Sequence, residues 1–251
     1  MILSFKRFLP ILTLVMIIPF WELVCLVGKI PPYILPAPSD IIEAFFTVDA
    51  SRWLKHLWAT LYIAIVGFII SVVVSIPIAV AMIRSEYLNK TIYPALVVIQ
   101  STPVVAIAPL LIVILGTGDA PRLAITFLIT FFPLVVAATT GMQATPKELI
   151  ELSQSLRAKP SREIWQIRLP YAIPYIFSGL KVAITLAIIG AVIAEFVAAE
   201  EGLGYFIQFS TSYFKIPQAF ASLFVLSVIS LSLFHSIKLI QKTFFSWSLN
   251  R

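Results

Sequence analysis

The sequence predicts an all-α membrane protein with about six transmembrane helices. Of its 251 residues, 60% are hydrophobic and 12% are charged, whereas soluble domains average roughly 45–50% and about 25%. A bilayer core about 30 Å thick needs roughly 20 apolar residues for each helical span. Largely apolar segments of that length are found at residues 8–27, 57–83, 91–116, 122–143, 172–199 and 217–241. They indicate a single transmembrane domain over residues 1–251.

These segments have the pattern of helices and not of strands. A transmembrane barrel would show segments of about ten residues in which apolar and polar residues alternate. Residues 59–82, by contrast, are apolar on every face. A helix also satisfies its own backbone hydrogen bonds inside the bilayer. We therefore expect helices throughout the membrane region.

The net charge of +6 is explained by membrane topology and not by nucleic-acid binding. A basic binding surface needs a folded soluble face, and no polar segment is long enough to form one. With the N-terminus inside, most basic residues lie in the cytoplasm, as the positive-inside rule requires, and both termini are cytoplasmic. The basic residues assigned to the cytoplasm are Lys6, Arg7, Arg84, Lys90, Lys147, Arg157, Lys159, Arg162, Arg168, Lys238, Lys242 and Arg251, and those assigned outside are Lys29, Arg52, Lys55, Arg122 and Lys215.

A signal peptide is the competing interpretation of Lys6 and Arg7 followed by an apolar stretch. Trp21 and Glu22 interrupt that stretch, and no small-residue cleavage site follows. These features favour a first membrane span. The single cysteine, Cys25, lies within this span, where it is expected to be a small packing residue.

Two connections between the spans are informative. The first external segment is rich in proline, and Ser39 or Asp40 is a candidate N-cap for a short helix on the outer interface. The inner loop, residues 144–170, is the longest polar stretch. Thr145 is its expected N-cap, Pro146 suits the first helical turn, and Glu148 is expected to complete a capping box with Thr145.

The inner loop is predicted to form two short helices. The first carries an apolar stripe beside charged residues and is expected to end at Pro160, and Ser161 is a candidate cap for the second. An amphipathic knob between two spans is either a docking surface or a lipid-interface helix. We favour docking.

The inner loop resembles a known family signature. Glu151-Leu152-Ser153, then Arg157, then Ile167-Arg168-Leu169-Pro170 resemble the cytoplasmic loop of binding-protein-dependent ABC importer permeases, written EAA, three residues, G, nine residues, I-x-L-P. The spacing of these groups matches that signature. Further stretches that resemble the nitrate, sulfonate and taurine branch are residues 33–39, His56 with Thr60 and Leu61, residues 102–110, Phe132 with Pro133, residues 174–180, and residues 194–196 with 202–205.

The resemblance implies a type I ABC importer permease fold, also called MetI-like, in a bacterial inner membrane. It also implies partners: cytoplasmic ATPase subunits, a second permease copy in a homodimer, and an extracytoplasmic solute-binding protein. The cargo would be a small polar solute, such as nitrate, a sulfonate, taurine or a pyrimidine vitamin precursor. The ATPase-coupling residues that it implies are Glu148, Glu151, Leu152, Ser153, Leu156, Arg157, Ala158, Ile167, Leu169 and Pro170.

No cofactor is expected to bind this chain. A phosphate-binding loop has the form G-x-x-x-x-G-K-[ST]. Gly28 precedes a lysine, but Ile30 stands where the hydroxyl residue is needed. ATP and Mg²⁺ are therefore expected on the partner ATPase, and this chain is expected to be a transport subunit and not an enzyme.

One departure from the signature concerns the bend of the loop. The family has glycine at the position of Arg157, and that glycine permits the turn between the two short helices. Arginine there predicts a turn made in another way, at Pro160 or at a relocated bend. This departure is expected to affect how the inner loop fits the partner ATPase.

The translocation path is predicted along the third segment, which is the most polar and the richest in breaks. Its candidate lining residues are Gln100, Ser101, Thr102 and Pro103. Glu195 is a further candidate, because ionisable groups in membrane segments are costly and often functional. A carboxylate that reaches the outer interface is the alternative for Glu195. His56 and His235 have no nearby ligand cluster, so no metal site is expected.

Two other classes of protein compete with this interpretation. An ion-coupled secondary transporter could also have broken helices in its membrane segments. An intramembrane serine protease would need a nucleophile and a base, such as Ser101 and His235, but no glycine-flanked serine motif is present. The cytoplasmic knob argues for the importer.

Overall fold

The computed structural model describes residues 2–249, with side chains from Val15 onward. This part of the chain is helical with short turns and contains no strand, which confirms the predicted all-α fold. Helices α1 to α11 are Ile2–Val27, Pro38–Thr47, Ala50–Arg84, Glu86–Ser101, Val104–Leu115, Asp119–Gln143, Lys147–Ser155, Pro160–Glu163, Leu169–Ala198, Leu203–Ser212 and Ile216–Phe244. A π-helical turn, Ile164–Arg168, joins α8 to α9, and a 3₁₀ turn, Ser246–Leu249, follows α11.

Among the described residues, four continuous helical segments are long and apolar enough to cross a bilayer. They are α3, α6, the run Pro160–Ala198 and α11. The predicted span 8–27 lies within α1, of which Val15–Val27 is the apolar part with described side chains.

The third predicted span, residues 91–116, is a bent pair of helices and not one straight helix. Helices α4 and α5 meet at an angle of 95°. Thr102 is extended, with φ −82° and ψ 126°, and Pro103 precedes the first residue of α5. Because a proline disfavours the helical conformation of the residue before it, the chain breaks at this point.

Close helix packing forms the centre of the molecule. Gly179 of α9 lies against α6, where an added Cβ would be 2.5 Å from the Cβ of Ala137. Gly190 approaches the Cα of Thr126 in the same manner, at 2.9 Å from an added Cβ. Small residues therefore let the backbones of α6 and α9 approach within one chain.

Hydroxyl groups connect α3 to α6. The side chains of Ser71 and Thr130 share a hydrogen bond, and Ser75 donates to the carbonyl oxygen of Phe131 at 3.1 Å. All three residues are buried. Such bonds between helices satisfy polar groups that have no water in the bilayer.

The helices define two ends of the molecule. We call the end that carries α7 and α8 the loop side, and the end that carries α2 and α10 the opposite side. Lys181 of α9 donates to Gln241 of α11 at 2.6 Å, and Gln241 donates to Ser248 at 3.0 Å. The 3₁₀ turn after α11 is thereby held against α9 on the loop side.

The short helix α2 is present as predicted, but its cap is different. Ala37 is the N-cap residue, and Pro38 begins the helix. Asp40 accepts a hydrogen bond from the N–H of Ala37 at 2.9 Å, and Ser39 donates to Glu22 at 2.7 Å. Neither Ser39 nor Asp40 is the N-cap, because Pro38 suits the first helical position and shifts the start of the helix.

Candidate coupling loop and membrane polar clusters

The first helix of the inner loop ends in a Schellman motif. The N–H of Arg157 donates to the carbonyl of Gln154 at 2.9 Å, and the N–H of Ala158 donates to that of Ser153 at 3.0 Å. Arg157 has φ +53°, the left-handed conformation that this motif requires. The two bonds satisfy carbonyls at the end of α7.

Both predicted alternatives, a bend at Pro160 and a relocated bend, are therefore wrong, since the chain turns at Arg157 itself. Arginine adopts the conformation that the family obtains from glycine, at a cost of roughly 1–2 kcal/mol. Pro160 does not end a helix but begins α8, following the extended Lys159. This is the first-turn position that proline prefers.

The residues predicted to cap the two loop helices, Thr145 and Ser161, do not cap them. Pro146 is the N-cap of α7 and has extended backbone angles, with φ −54° and ψ 137°. The hydroxyl of Thr145 instead donates to the carbonyl of Met142 at 3.0 Å, at the end of α6. Ser161 is not a cap either, because Lys159 is the N-cap residue of α8.

The loop presents an apolar surface to its surroundings. Leu152, Leu156 and Trp165 are 55%, 73% and 60% exposed, although large apolar side chains are mostly buried in a folded chain. Of the other residues predicted to take part in coupling, Ser153 is buried, Ala158, Ile167, Leu169 and Pro170 are half-buried, and Glu148, Glu151 and Arg157 are exposed.

An ion pair holds the second half of the loop. Arg168 Nε donates to Glu163 at 2.7 Å, and its Nη1 donates to the carbonyl of Met142 at 3.4 Å. Both side chains of the pair are largely buried. The start of α9 is thereby tied to the end of α6.

The third-segment candidates lie at the bend between α4 and α5. Gln100, Ser101, Thr102 and Pro103 are exposed. The hydroxyls of Ser101 and Thr102 donate to backbone carbonyls four residues earlier, at 2.7 and 3.1 Å. Their part in a translocation path stays a prediction.

Glu195 lies in a cluster on the opposite side. Its side chain is fully buried, at 0% exposure, so the alternative of a carboxylate reaching the outer interface is wrong. Oε2 accepts a hydrogen bond from the N–H of Gly204 at 2.7 Å. Gly202 contacts the same carboxylate so closely that an added Cβ would lie 2.2 Å from its Cδ.

Two residues of α3 complete this cluster. His56 Nδ1 accepts a hydrogen bond from the N–H of Gly202 at 3.1 Å, and the hydroxyl of Thr60 accepts one from Leu203 at 2.8 Å. With Glu195, three side chains satisfy successive N–H groups at the start of α10, which otherwise have no helical partner. We call His56, Thr60 and Glu195 the α10 cap.

Sequence reasoning did not find this role for His56. Nδ1 accepts a hydrogen bond, so the imidazole is in the tautomer that carries its proton on Nε2. The available signal was the spacing of His56 and Thr60, because residues four apart lie on the same face of a helix. Their partner in α10 is far away in the chain and could not be read from that spacing.

A cavity of about 840 Å³ opens on the opposite side between the ends of α3, α6 and α9. Its polar wall contains two ion pairs, Lys55 with Glu201 at 2.7 Å and Arg122 with Asp119. The Lys55 ammonium beside Glu201 lowers the pKa of that carboxyl below its usual value. The two basic residues of this wall therefore already have carboxylate partners.

The fold has solved counterparts. The chain superposes on a chain of the MetNI methionine ABC transporter in an inward-facing conformation with a TM-score of 0.67, at 18% identity, over 76% of this chain and 95% of that one. A second crystal form of the same transporter gives a TM-score of 0.63 at 20% identity. The architecture is therefore the MetI-like type I fold predicted above.

The family follows from the sequence comparisons. Residues 71–246 match the family of binding-protein-dependent transport system inner membrane components, and the chain belongs to that family. It is 32% identical to the formylaminopyrimidine transport permease protein ThiX of Halalkalibacterium halodurans, over 97% of each chain. It is 27% identical to the taurine transport system permease protein TauC of Escherichia coli, over 98% of this chain and 91% of TauC.

The chain is thus the multi-pass permease subunit of an ABC importer in an inner membrane. Its work depends on a solute-binding protein and on separate ATPase chains, and it is not an enzyme. This assignment excludes the secondary transporter and the intramembrane protease that competed with it.

Proposed function

We propose that α7 and α8 dock into the ATPase subunit and pass its movement to the membrane helices. The observation that carries this proposal is the exposed apolar surface of Leu152, Leu156 and Trp165 on a loop that is held at both ends. The end of α7 presents Leu152 and Leu156, and the π-helical turn after α8 presents Trp165. A preorganised surface of this kind loses little entropy when it binds.

The movement would travel along one helix. The run Pro160–Ala198 is 39 residues long and continuous, and its far end carries Glu195 of the α10 cap. A tilt of the docked loop would therefore move α10 on the opposite side of the membrane. Rigid-body movement of this type is a common form of conformational switching.

In this proposal the loop side faces the cytoplasm. The far end of α1 lies on the opposite side, where Glu22 accepts a hydrogen bond from Ser39 of α2, so a spanning α1 would begin on the loop side. Helix α11 ends on the loop side, where Gln241 accepts a hydrogen bond from Lys181. Both termini would then be cytoplasmic, in agreement with the excess of basic residues there. ATP and Mg²⁺ would be bound by the partner ATPase, since this sequence lacks a phosphate-binding loop.

A second copy of the permease would complete the path. The helices α4 and α5 leave apolar side chains such as Val98, Val105 and Val113 exposed, at 66%, 57% and 83%. Lipid covers such side chains equally well, so exposure alone does not identify a partner. The support for two copies is membership of the importer family, whose resemblance implies a homodimer.

The cargo that we propose is a small nitrogen heterocycle of the formylaminopyrimidine type. Two relatives with more than 30% identity are named for such solutes, at 32% for formylaminopyrimidine and 31% for riboflavin. The relatives named for taurine and aliphatic sulfonates are 27% and 25% identical. Lys181, the basic residue in the fifth span, donates a hydrogen bond to Gln241. This span therefore offers no unpaired cation that would bind an anionic solute.

Docking can be tested by adding a negative charge to the apolar surface. We expect Leu156→Asp to abolish co-purification with the ATPase subunit, because a carboxylate is costly to bury against a partner. Ser246→Asp is the matched control, since it adds the same charge at an exposed position on the loop side that lies outside α7 and α8. Retained association of the Leu156→Asp variant would contradict the docking assignment.

The cargo can be tested with the reconstituted importer. Uptake of labelled formylaminopyrimidine into proteoliposomes should require ATP, the ATPase and the solute-binding protein. Taurine should compete poorly with this uptake. The reverse preference would refute the heterocycle proposal and leave the docking proposal intact.

A further inference from the structure

A second cavity lies on the loop side, between α4 and α6. Its volume is about 450 Å³, which is within the range of about 300–1,000 Å³ typical of small-molecule sites. It is separate from the α10 cap and from the docking surface of α7. The side chains that matter for its chemistry are Asn89, Lys90, Tyr93, Thr139, Thr140 and Gln143.

Thr139 is a buried wall residue of this cavity whose hydroxyl has no hydrogen-bond partner. The residue is 4% exposed, and its Oγ1 is unpaired. The two other buried threonines of α6 differ from it, because Thr126 and Thr130 donate to carbonyls four residues earlier, at 3.0 and 2.8 Å. A buried hydroxyl without a partner needs a specific explanation.

The remaining polar groups of the cavity are mostly neutral. Asn89, Thr140 and Gln143 offer amide and hydroxyl groups that donate and accept hydrogen bonds. The one basic group, Lys90, already pairs with Glu86 at 2.8 Å. A free anion would thus have to compete with Glu86 for Lys90.

Tyr93 adds an aromatic surface beside these groups. Its side chain is 46% exposed, and Pro94 lies next to it in the cavity wall. An aromatic face with neighbouring amides and hydroxyls suits a flat ring that carries hydrogen-bonding nitrogen atoms.

We propose that this cavity is a solute-binding subsite on the release side of the permease, and that it takes a neutral, planar nitrogen heterocycle. The inference rests on the cargo and orientation given under the proposed function. The solute would receive or donate a hydrogen bond at Thr139 and would stack on Tyr93. Weak binding there would let the solute pause before it enters the cytoplasm.

Protection of an engineered cysteine tests occupancy directly. Cys25 is the single cysteine of the chain, so Cys25→Ala supplies a background for Gln143→Cys. We expect formylaminopyrimidine to slow labelling of the complex by N-ethylmaleimide at position 143 at least fivefold, and taurine to leave it unchanged. Thr91→Cys is the control, because Thr91 is exposed on α4 outside the cavity and should show no protection.

A pair of substitutions tests the hydroxyl. In the Gln143→Cys background, Thr139→Val should raise the concentration that gives half-maximal protection at least threefold. Thr139→Ser should keep it near the parent value, since serine retains the hydroxyl. Equal values for the parent, Thr139→Val and Thr139→Ser would overturn the role of Thr139.

The outcomes separate this inference from the function on which it rests. Uptake of formylaminopyrimidine without protection at position 143 would overturn the subsite and leave the cargo assignment standing. Protection by taurine together with taurine uptake would overturn the chemical class of both. Equal protection at positions 91 and 143 would show a general conformational effect and would also overturn the subsite.

Discussion

Glu195 Oε2 accepts a hydrogen bond from the backbone N–H of Gly204 at 2.7 Å, and this bond links the end of α9 to the start of α10. The carboxylate is fully buried. Because His56 and Thr60 satisfy the two preceding N–H groups, the contact belongs to a three-residue cap drawn from two membrane helices. The two sequence stretches that resemble the family here, residues 194–196 and 202–205, therefore form one structural unit.

Removing the acceptor should weaken this unit. We expect Glu195→Ala to destabilise the protein by about 1–3 kcal/mol, because a buried N–H loses its partner. Glu195→Gln retains an acceptor oxygen and should cost less. Thermal unfolding in detergent, followed by tryptophan fluorescence, measures both. An equal loss for the two variants would argue against the hydrogen bond as the source of stability.

Adding a methyl group at Gly202 should disrupt the same unit. Gly202 has φ +121°, and an added Cβ would lie 2.2 Å from Glu195 Cδ. Gly116 also has a positive φ, of +79°, but an added Cβ there meets nothing within 4 Å. We therefore expect Gly202→Ala to lower the melting temperature more than Gly116→Ala. The difference between the two isolates the steric contact from the backbone strain that they share.

Restoring glycine at the loop bend should stabilise the loop. Arg157 has φ +53°, and a non-glycine residue in this conformation costs roughly 1–2 kcal/mol. Arg157→Gly should slow hydrogen exchange of the Ala158 amide, which donates to Ser153. Arg162→Gly is the control, because Arg162 lies in the helix α8 and glycine should destabilise it. Faster exchange in Arg157→Gly would contradict the assigned conformation.

The ion pair of Lys55 and Glu201 predicts a pH dependence at acid pH. The hydrogen bond and charge of Lys55 lower the pKa of Glu201 below its ordinary value of 4.5. A carboxyl with a lowered pKa in the folded state contributes its stability above the ordinary pKa and loses it as the pH falls through the folded pKa. The pair should therefore be intact at pH 5 and above and open only below pH 4.5.

Comparison with Glu201→Gln measures this effect. Between pH 6 and pH 3 the melting temperature of the parent protein should fall slightly more than that of the variant. The corresponding difference in the free energy of unfolding should be small, below about 1 kcal/mol, because the ion pair is exposed to solvent. A larger fall in the variant would reverse the predicted sign.

The position of the inner loop could be read from the sequence because spacing carries that information. The signature around Glu151, Arg157 and Pro170 lies in one continuous segment, as do the short helices on both sides of the bend. The bend itself could not be read, because the penalty for arginine in a left-handed conformation is offset by the two backbone hydrogen bonds of the motif. Local preference therefore indicated Pro160, where the structure begins a helix.

The burial of Glu195 shows a second limit. A carboxylate near the end of an apolar segment is equally consistent with the membrane interface and with a protein interior. The partners that decide between them are His56 and Thr60 of α3 and the N–H groups of residues 202–204. These groups meet only when α3, α9 and α10 have packed.

Composition and spacing by themselves determined that the chain lies in a membrane, that it is helical, which family it belongs to and where its inner loop lies. Each of these properties depends on residues that are close in the chain. The tertiary structure decided the 95° bend of the third segment, the α10 cap and the cavity at Thr139. Each of these depends on distant groups brought within hydrogen-bond or van der Waals distance, and no periodicity within one segment encodes such a meeting.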